Sequence, residues 1–196
     1  MGADVPKAFV HCAGRELWEW SGDVLVASCD RVVMAVPPHY LQTDYPDVER
    51  VAGGESRSES VRNALAAAPE ADIVVIHDAA RPLVTGDLVG RCISAVEDGA
   101  DGAVAAARVT DTIKQADDTG RVVLTLDRDT LWSIQTPQAF RADVLRQALD
   151  TERVADATDD ATLVEALGGE VRIVEAPARN FKITWPDDLK RAEALL

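Results

Sequence analysis

Residues 73–82 read IVVIHDAARP, and this stretch decides the fold. Its first four residues are β-branched and apolar, the pattern of a strand buried on both faces of a parallel sheet. An imidazole, a carboxylate and a guanidinium follow directly, and Pro82 prevents the chain from continuing as a strand. The stretch therefore predicts a central strand with chemically active side chains at its carboxyl end.

Ligands of open α/β sheets bind beyond the carboxyl ends of the strands, so we expect His77, Asp78 and Arg81 at the mouth of a substrate site. A carboxylate such as Asp78 suits a metal ion or a sugar hydroxyl, whereas the planar guanidinium of Arg81 suits phosphate. The same residues also fit a strand end that carries a solvated salt bridge. Spacing alone does not separate these two interpretations.

The chain has 196 residues, which favours one domain over two, and 47% of the residues are hydrophobic. No run approaches the roughly 20 apolar residues that span a bilayer, and no signal peptide is recognisable. The three cysteines, Cys12, Cys29 and Cys92, show no metal-binding spacing and indicate free thiols in a reducing cytoplasm. We therefore expect a single cytoplasmic domain over residues 1–196.

The formal net charge of −14 argues against nucleic acid and anionic membranes as partners, because both would be repelled. A phosphorylated ligand must then meet a local basic pocket. His77 is interpreted as a packing histidine rather than a general base, and His11 and His39 have no ligand spacing.

Strand and helix patterns alternate along the chain, which favours a mostly parallel sheet. The predicted strands are residues 31–36, 73–76, 102–109, 171–174 and 181–184. The predicted helices are residues 16–21 with a break at Gly22, a helix after Ser56, one from Thr85 or Asp87 to Glu97, 143–149, one from Thr158 to Gly168, and a closing helix from Pro186. The segment QTPQAF, residues 135–140, is interpreted as the lead into the helix at 143–149.

A glycine pair precedes a helix start in GGESRSESV, residues 53–61. Ser56 and Glu59 have the spacing of a capping box. The free backbone N–H groups of this helix end, together with the side chains of Arg57 and Ser60, suit a base carbonyl or a phosphate. The pattern also describes any loop that enters a helix.

Residues 110–131 interrupt the alternation with two short strand-like pieces around the turn Asp117–Gly120. This pattern predicts a projecting β-hairpin, which we call the arm. A hairpin that does not bury itself on its own domain usually packs on a partner, so the arm indicates a homodimer.

Several motifs occur together in order: PKAF, GGESRSESV, HDAARP, DTIK, TPQAF, TDDATLVE and FKITWPDDL. Through them the whole chain resembles the 2-C-methyl-D-erythritol 4-phosphate cytidylyltransferases, which have the three-layer α/β nucleotidyltransferase (Rossmann-like) fold. The resemblance implies transfer of CMP from CTP to methylerythritol phosphate with release of pyrophosphate. It also implies Mg²⁺ on the triphosphate, with no metal site made by the protein alone.

The resemblance gives roles to individual residues. Lys7 and Lys182 match the cations that stabilise charge on the α-phosphate, a mechanism that needs no protein nucleophile. Gly54, Glu55 and Ser60 match positions that hold cytosine and its ribose, although Glu55 stands where the family more often has Asp.

Further roles concern the ribose and the acceptor. Asp78 and Ala79 match the ribose of CTP, Asp78 also reaches the methylerythritol side, and Arg81 matches a position that binds the second substrate. The family's arm crosses to the neighbouring subunit, so arm-side residues would contact the substrate of the partner chain; these are Thr112, Arg128 and Thr136. Thr158 would reach the methylerythritol end.

Members of the family begin with a central strand and a glycine-rich loop that carries an arginine, and Met1 stands where that loop would end. We expect either a start codon assigned too far downstream, which is favoured, or a natural fragment that catalyses less. Two alternative functions stay open: a cytidylyltransferase for ribitol 5-phosphate or a related polyol phosphate, and a non-catalytic dimeric nucleotide-binding module.

Overall fold

The computed structural model describes residues 5–42, 45–150 and 159–196. Its strands are β1 (His11–Cys12), β2 (Arg15–Glu16), β3 (Val32–Val36), β4 (Val48–Ala52), β5 (Ile73–Ile76), β6 (Gly102–Arg108), β7 (Lys114–Ala116), β8 (Val122–Thr125), β9 (Trp132–Arg141) and β10 (Val171–Glu175). Its helices are α1 (Leu17–Val26), α2 (Arg57–Ala66), α3 (Gly86–Glu97), α4 (Ala142–Leu149), α5 (Asp160–Ala166) and α6 (Pro186–Glu193). Within these ranges, no helix is both long and apolar enough to cross a membrane.

The main sheet has four strands in the order β10–β6–β9–β5. β10 and β6 are parallel, but β9 runs antiparallel to both β6 and β5. β3 and β4 form a separate parallel pair. The α/β class and the mostly parallel sheet are confirmed: β10, β6 and β5 run in one direction, and β9 runs opposite to them, which makes the sheet mixed.

Helices cover both faces of this sheet, which gives the three layers expected. Alternate residues of a strand point to opposite faces. Ala103 and Ala105 of β6 therefore pack with α3, whereas Val104 packs with α2, α4 and α5 around Phe140. Phe140 fills the space left by Gly102, where a Cβ atom would lie 2.6 Å from its ring. The buried apolar residues hold the strand ends in fixed positions.

β9 was not predicted as a strand, since residues 135–140 were interpreted as the lead into a helix, and a proline argues against a central strand. The register explains how Pro137 is tolerated. Gln138 pairs with Val104 and Ile134 pairs with Ala106, so residues 135–137 together face the single residue Ala105. This bulge removes the ladder position that would need the missing N–H of proline, and bulges re-aim side chains near functional sites.

Two other predictions of secondary structure are wrong. α1 continues through Gly22 to Val26, because a glycine inside a helix costs only about 1 kcal/mol and Gly22 packs on the Trp18 ring. Residues 181–184 form no strand. Instead the Ile183 N–H donates one hydrogen bond to Ala80 O at 2.8 Å, and the Ile183 side chain is fully buried.

The remaining predicted helices and strands are close to those observed. Thr85 caps α3 with its hydroxyl accepting from the Leu88 N–H, and Ser56 caps α2 by accepting from the Glu59 N–H. The arm forms as predicted from the antiparallel pair β7 and β8, with Gly120 at φ +82° in the turn. All four residues of β8 are exposed.

Candidate functional site

Asp78 lies where β5 ends, and three cations converge on its carboxylate. The Lys182 Nζ lies 2.9 Å from Oδ2, the Arg81 Nε lies 3.6 Å from Oδ2, and the Arg57 Nε lies 4.0 Å from Oδ1. These cations come from three separate parts of the chain, so the fold and not local sequence assembles the cluster. We call this group the Asp78 cluster.

The Asp78 carboxylate is ionised at neutral pH. Burial alone would raise its pKa, but the hydrogen bond and charge of Lys182, with the charges of Arg57 and Arg81, lower that pKa below its usual value. A carboxylate that faces three cations leaves positive charge unbalanced locally. The cluster therefore supplies the basic pocket that an anionic ligand needs on a protein of net charge −14.

Arg81 is held rigidly, since its residue is only 8% exposed. Its guanidinium donates to Asn180 O at 2.9 Å, and the Asn180 amide in turn donates to Gln135 Oε1 and Thr136 O, each at 2.9 Å. Burial lowers the pKa of Arg81, with Asp78 acting in the opposite direction. These contacts fix Arg81 as a preorganised donor.

His77 and Thr136 form a hydrogen-bonded chain that locks the turn after β5. The Asp78 N–H donates to Thr136 Oγ1 at 2.9 Å, and His77 Nε2 lies 3.1 Å from Arg81 O. Because a carbonyl only accepts, Nε2 carries the proton, and Nδ1 then accepts from the Thr136 hydroxyl at 3.1 Å. His77 thus positions the turn.

Burial lowers the pKa of His77 to about 4, and the Arg81 charge acts in the same direction. The residue is half-buried, and both ring nitrogens are occupied by protein hydrogen bonds. The imidazole is neutral at physiological pH, and neither nitrogen is free to take a proton from a substrate. These contacts support the interpretation of His77 as a packing residue rather than a general base.

Arg57 links the Asp78 cluster to α5. Its Nη1 lies 2.6 Å from Oδ2 of Asp160, whose residue is fully buried, while its own side chain is 39% exposed. Burial raises the pKa of Asp160, and the charge and hydrogen bond of Arg57 oppose that effect. The pair joins the first residues of two helices across the site.

The Asp78 cluster lines an open cleft of about 450 Å³. We call this space the cleft. Its other walls come from the bulge of β9 and the start of α5, and the lining residues used below are Arg57, Asp78, Arg81, Gln135, Thr136, Gln138 and Lys182. Four predicted site residues, Asp78, Arg81, Thr136 and Lys182, therefore share one cavity, although Thr136 was expected to contact the substrate of the partner chain.

The predicted nucleotide residues form a tight loop outside that lining. The Gly54 N–H donates to Ser60 Oγ at 3.0 Å, and the Glu55 N–H donates to Glu59 Oε2 at 2.7 Å. A Cβ on Gly54 would lie 2.2 Å from Glu59 Cγ, so only glycine fits there. Ala79 packs beside the apolar cluster of Val36 and Phe9.

Three predicted residues lie away from the cleft lining. Lys7 lies in a short 3₁₀ turn, and its charge contributes to the lowered pKa of Asp188 after the backbone hydrogen bonds of Trp185 and Thr184. Thr112 is exposed on the arm, and Arg128 donates to Thr110 O at 2.9 Å at the base of the arm. Thr158 falls outside the described residues.

Sequence reasoning gave no role in the site to Gln135, Gln138, Asp160 or Asn180. Asn180 stands two residues before Lys182, and Asp160 stands two residues after Thr158, so proximity to predicted residues was the available signal. Gln135 and Gln138 reach the cleft because of the bulge in β9, which the sequence did not predict.

The oxygen atoms near the cleft bear on whether Mg²⁺ could bind there. Within residues 5–42, 45–150 and 159–196, no group of three His, Cys, Asp or Glu side chains could hold a metal ion. Mg²⁺ commonly binds through one or two carboxylates together with substrate phosphates. The Oδ1 atom of Asp78, which lies 4.0 Å from the Arg57 Nε, fits a Mg²⁺ ion that arrives on a triphosphate.

The three-layer α/β fold, with one carboxylate and three cations clustered at the end of β5, is a nucleotidyltransferase fold, as the solved structures similar to it show. A crystal structure of 2-C-methyl-D-erythritol 4-phosphate cytidylyltransferase from Thermus thermophilus matches it with a TM-score of 0.85 and 37% identity, over 97% of this chain and 93% of that one. The family model for IspD, 2-C-methyl-D-erythritol 4-phosphate cytidylyltransferase, matches residues 1–196. The chain belongs to this family.

Named relatives agree with this assignment. The Nocardia farcinica 2-C-methyl-D-erythritol 4-phosphate cytidylyltransferase is 42% identical over 100% of this chain and 88% of its own length. The Rubrobacter xylanophilus enzyme of the same name is 53% identical over 73% of this chain, and the match spans 63% of that protein. A bifunctional IspD/IspF enzyme of Anaeromyxobacter dehalogenans is 44% identical over 99% of this chain. The match covers 53% of that longer enzyme.

Proposed function

We propose that this protein transfers CMP from CTP to 2-C-methyl-D-erythritol 4-phosphate and releases pyrophosphate. The observation that carries the proposal is the Asp78 cluster, in which Lys182, Arg81 and Arg57 meet one carboxylate inside the cleft. Membership of the cytidylyltransferase family supports the same reaction. The product would enter isoprenoid precursor synthesis by the non-mevalonate route.

The chemistry needs positioned charge more than a reactive side chain. An oxygen of the acceptor phosphate attacks the α-phosphorus of CTP in line, the bond from that phosphorus to the β-phosphate oxygen breaks, and pyrophosphate leaves. Negative charge builds on the α-phosphate oxygens, and Lys182 stabilises it as a fixed cation. The acceptor phosphate is itself an anionic nucleophile, so the neutral, fully hydrogen-bonded His77 has no proton to remove.

Mg²⁺ belongs to this proposal as a companion of the triphosphate. When bound, it neutralises part of the triphosphate charge and helps pyrophosphate to leave. Asp78 is the residue that would approach it, through Oδ1. Lys182 meanwhile keeps Oδ2 at 2.9 Å, so the carboxylate holds one orientation.

A homodimer in the cytoplasm completes the proposal. The exposed arm carries Val122, Val123 and Leu124, which are 55%, 63% and 50% exposed, and a second copy would bury them. Thr112 and Arg128 would then reach the cleft of that copy. The free thiols of Cys12, Cys29 and Cys92 support a reducing compartment.

The test is pyrophosphate release by the purified chain with CTP and Mg²⁺, comparing methylerythritol 4-phosphate with ribitol 5-phosphate. We expect release with the first acceptor and at least about a tenfold lower kcat/KM with the second, which is the discrimination of roughly one well-placed hydrogen bond. Release with ribitol 5-phosphate alone would establish the alternative acceptor. Silence with both, despite CTP binding, would establish a non-catalytic nucleotide-binding module.

A further inference from the structure

We propose that Arg57 is a further acceptor-binding residue of the cleft and that the buried carboxylate of Asp160 is its positioning residue. The inference rests on the proposed function and adds two residues to it. The ligand class is the phosphate of the polyol phosphate acceptor.

The location of Arg57 favours the acceptor over the nucleotide base. Arg57 begins α2, directly after the loop that contains Gly54 and Glu55, yet its side chain lines the cleft. It shares that lining with Arg81, the residue matched to the second substrate, whereas the loop residues do not line it. The guanidinium is therefore directed at the acceptor end of the site.

The carboxylate of Asp160 is paired with the guanidinium of Arg57. Its residue has 0% exposure, and in the described part of the chain neither carboxylate oxygen has another hydrogen-bond partner. A buried charge is costly unless it is paired, so the contact with Arg57 Nη1 at 2.6 Å compensates its burial. Since Asp160 belongs to α5, it fixes the guanidinium from the far side of the cleft.

The geometry leaves Arg57 able to bind a ligand while it is held. Nη1 is engaged by Asp160, and Nε lies 4.0 Å from Asp78, beyond hydrogen-bonding distance. The side chain is 39% exposed and lines the open cleft, which leaves it accessible to a ligand. A guanidinium presents donors in a planar fork that matches the oxygens of phosphate.

The experiment measures KM for each substrate and kcat in Asp160→Asn, Arg57→Gln and the double variant. We expect Asp160→Asn and Arg57→Gln each to raise KM for methylerythritol phosphate about tenfold, the loss of roughly one charge-assisted hydrogen bond, with KM for CTP within about twofold. Because both changes act through Arg57, the double variant should be no worse than Arg57→Gln.

Two controls separate positioning from stability. Asp87→Asn with Arg91→Gln breaks an exposed ion pair of α3, at 3.0 Å, and should leave both KM values unchanged. Arg57→Lys retains the charge, keeps Asp160 compensated and should fold normally, but should still raise the acceptor KM because the planar fork is lost. Circular dichroism and melting temperature confirm that each variant is folded.

The outcomes distinguish this inference from the proposed function. If the unaltered chain releases no pyrophosphate, the proposed function fails first. If it is active and Asp160→Asn or Arg57→Lys leaves the acceptor KM unchanged, the inference is wrong and the pair is structural. An equal rise in the KM values of CTP and acceptor would also overturn the assignment to the acceptor.

Discussion

The cleft and the arm differ in how far their side chains are buried and held by contacts. In the cleft, Asp78 and Arg81 are largely buried, and ion pairs and hydrogen bonds to the rest of the fold hold them in place. On the arm, Val122–Leu124 lie at least half exposed, and Arg128 contacts only the nearby Thr110 O among the described contacts. The cleft is therefore preorganised by its own chain, whereas the arm has surface left for another molecule. This contrast supports the proposal that is our central claim: one active site would combine the cleft of one copy with the arm of a second.

The largest expected effect comes from removing a cation of the Asp78 cluster. Lys182→Met should lower kcat by about 100-fold or more, because it removes a fixed charge that stabilises the transition state. The matched variant Lys190→Met removes an exposed lysine of α6, whose side chain is 80% exposed, and should leave kcat unchanged. Equal kcat values for the two variants would remove Lys182 from the chemistry. Steady-state pyrophosphate release is the measurement.

A charge placed on the arm should separate the two copies without unfolding either. Val123→Asp puts a carboxylate on the exposed apolar strand β8, and desolvating it in an interface is unfavourable. We expect sedimentation of a monomer and a fall of about tenfold in kcat/KM as Arg128 leaves the partner's cleft. Leu195→Asp, at another exposed apolar residue, should stay dimeric. A dimeric Val123→Asp would show that the arm is not the interface.

The stability of the cleft should depend on pH through His77. Its folded pKa is about 4, below the unfolded value near 6.5, so the unfolded chain binds more protons between these two values. The contribution of His77 is therefore complete above about pH 6.5 and is lost as the pH falls toward 4. Between pH 7 and 5 the free energy of unfolding should fall by about 2 kcal/mol more in the parent than in His77→Gln. If urea titrations gave the parent and His77→Gln the same dependence of unfolding free energy on pH, the role of His77 would be refuted.

The smallest effect concerns the arm alone. Asp117 Oδ1 accepts from the N–H groups of Thr119 and Arg121 and from the Thr119 hydroxyl, so it organises the hairpin turn. Asp117→Ala should speed amide hydrogen exchange in residues 114–125 and leave β5 and β6 unchanged. Faster exchange throughout the sheet would mean that the arm and the cleft do not behave as separate regions.

Features that depend on local chemistry were predictable from the sequence. Capping at Ser56 and Thr85, the turn at Gly120 and the strand that leads to Asp78 each follow from a few neighbouring residues. The placement of Arg81 near Asp78 followed from the same stretch, whereas that of Lys182 was reached through family resemblance, since nothing in its spacing fixes it.

The remaining features depend on contacts between distant segments. Pro137 argues against a strand at β9 in the sequence, because the bulge that accommodates this proline forms only when β9 pairs with β6. Residues 181–184 have a strand-like composition but meet the turn after β5 through a single backbone hydrogen bond. The ion pair of Arg57 and Asp160 joins residues about 100 positions apart, and no local pattern reports such a pair.

The most direct test of the central claim mixes two impaired variants. Asp78→Asn damages the cleft, and Arg128→Ala damages the arm, so a mixed dimer contains one site with both defects and one site with neither. Random exchange of equal amounts should restore about a quarter of the activity of the unaltered protein. If each site were completed by its own chain, the mixture would be no more active than its components, and the claim would be contradicted.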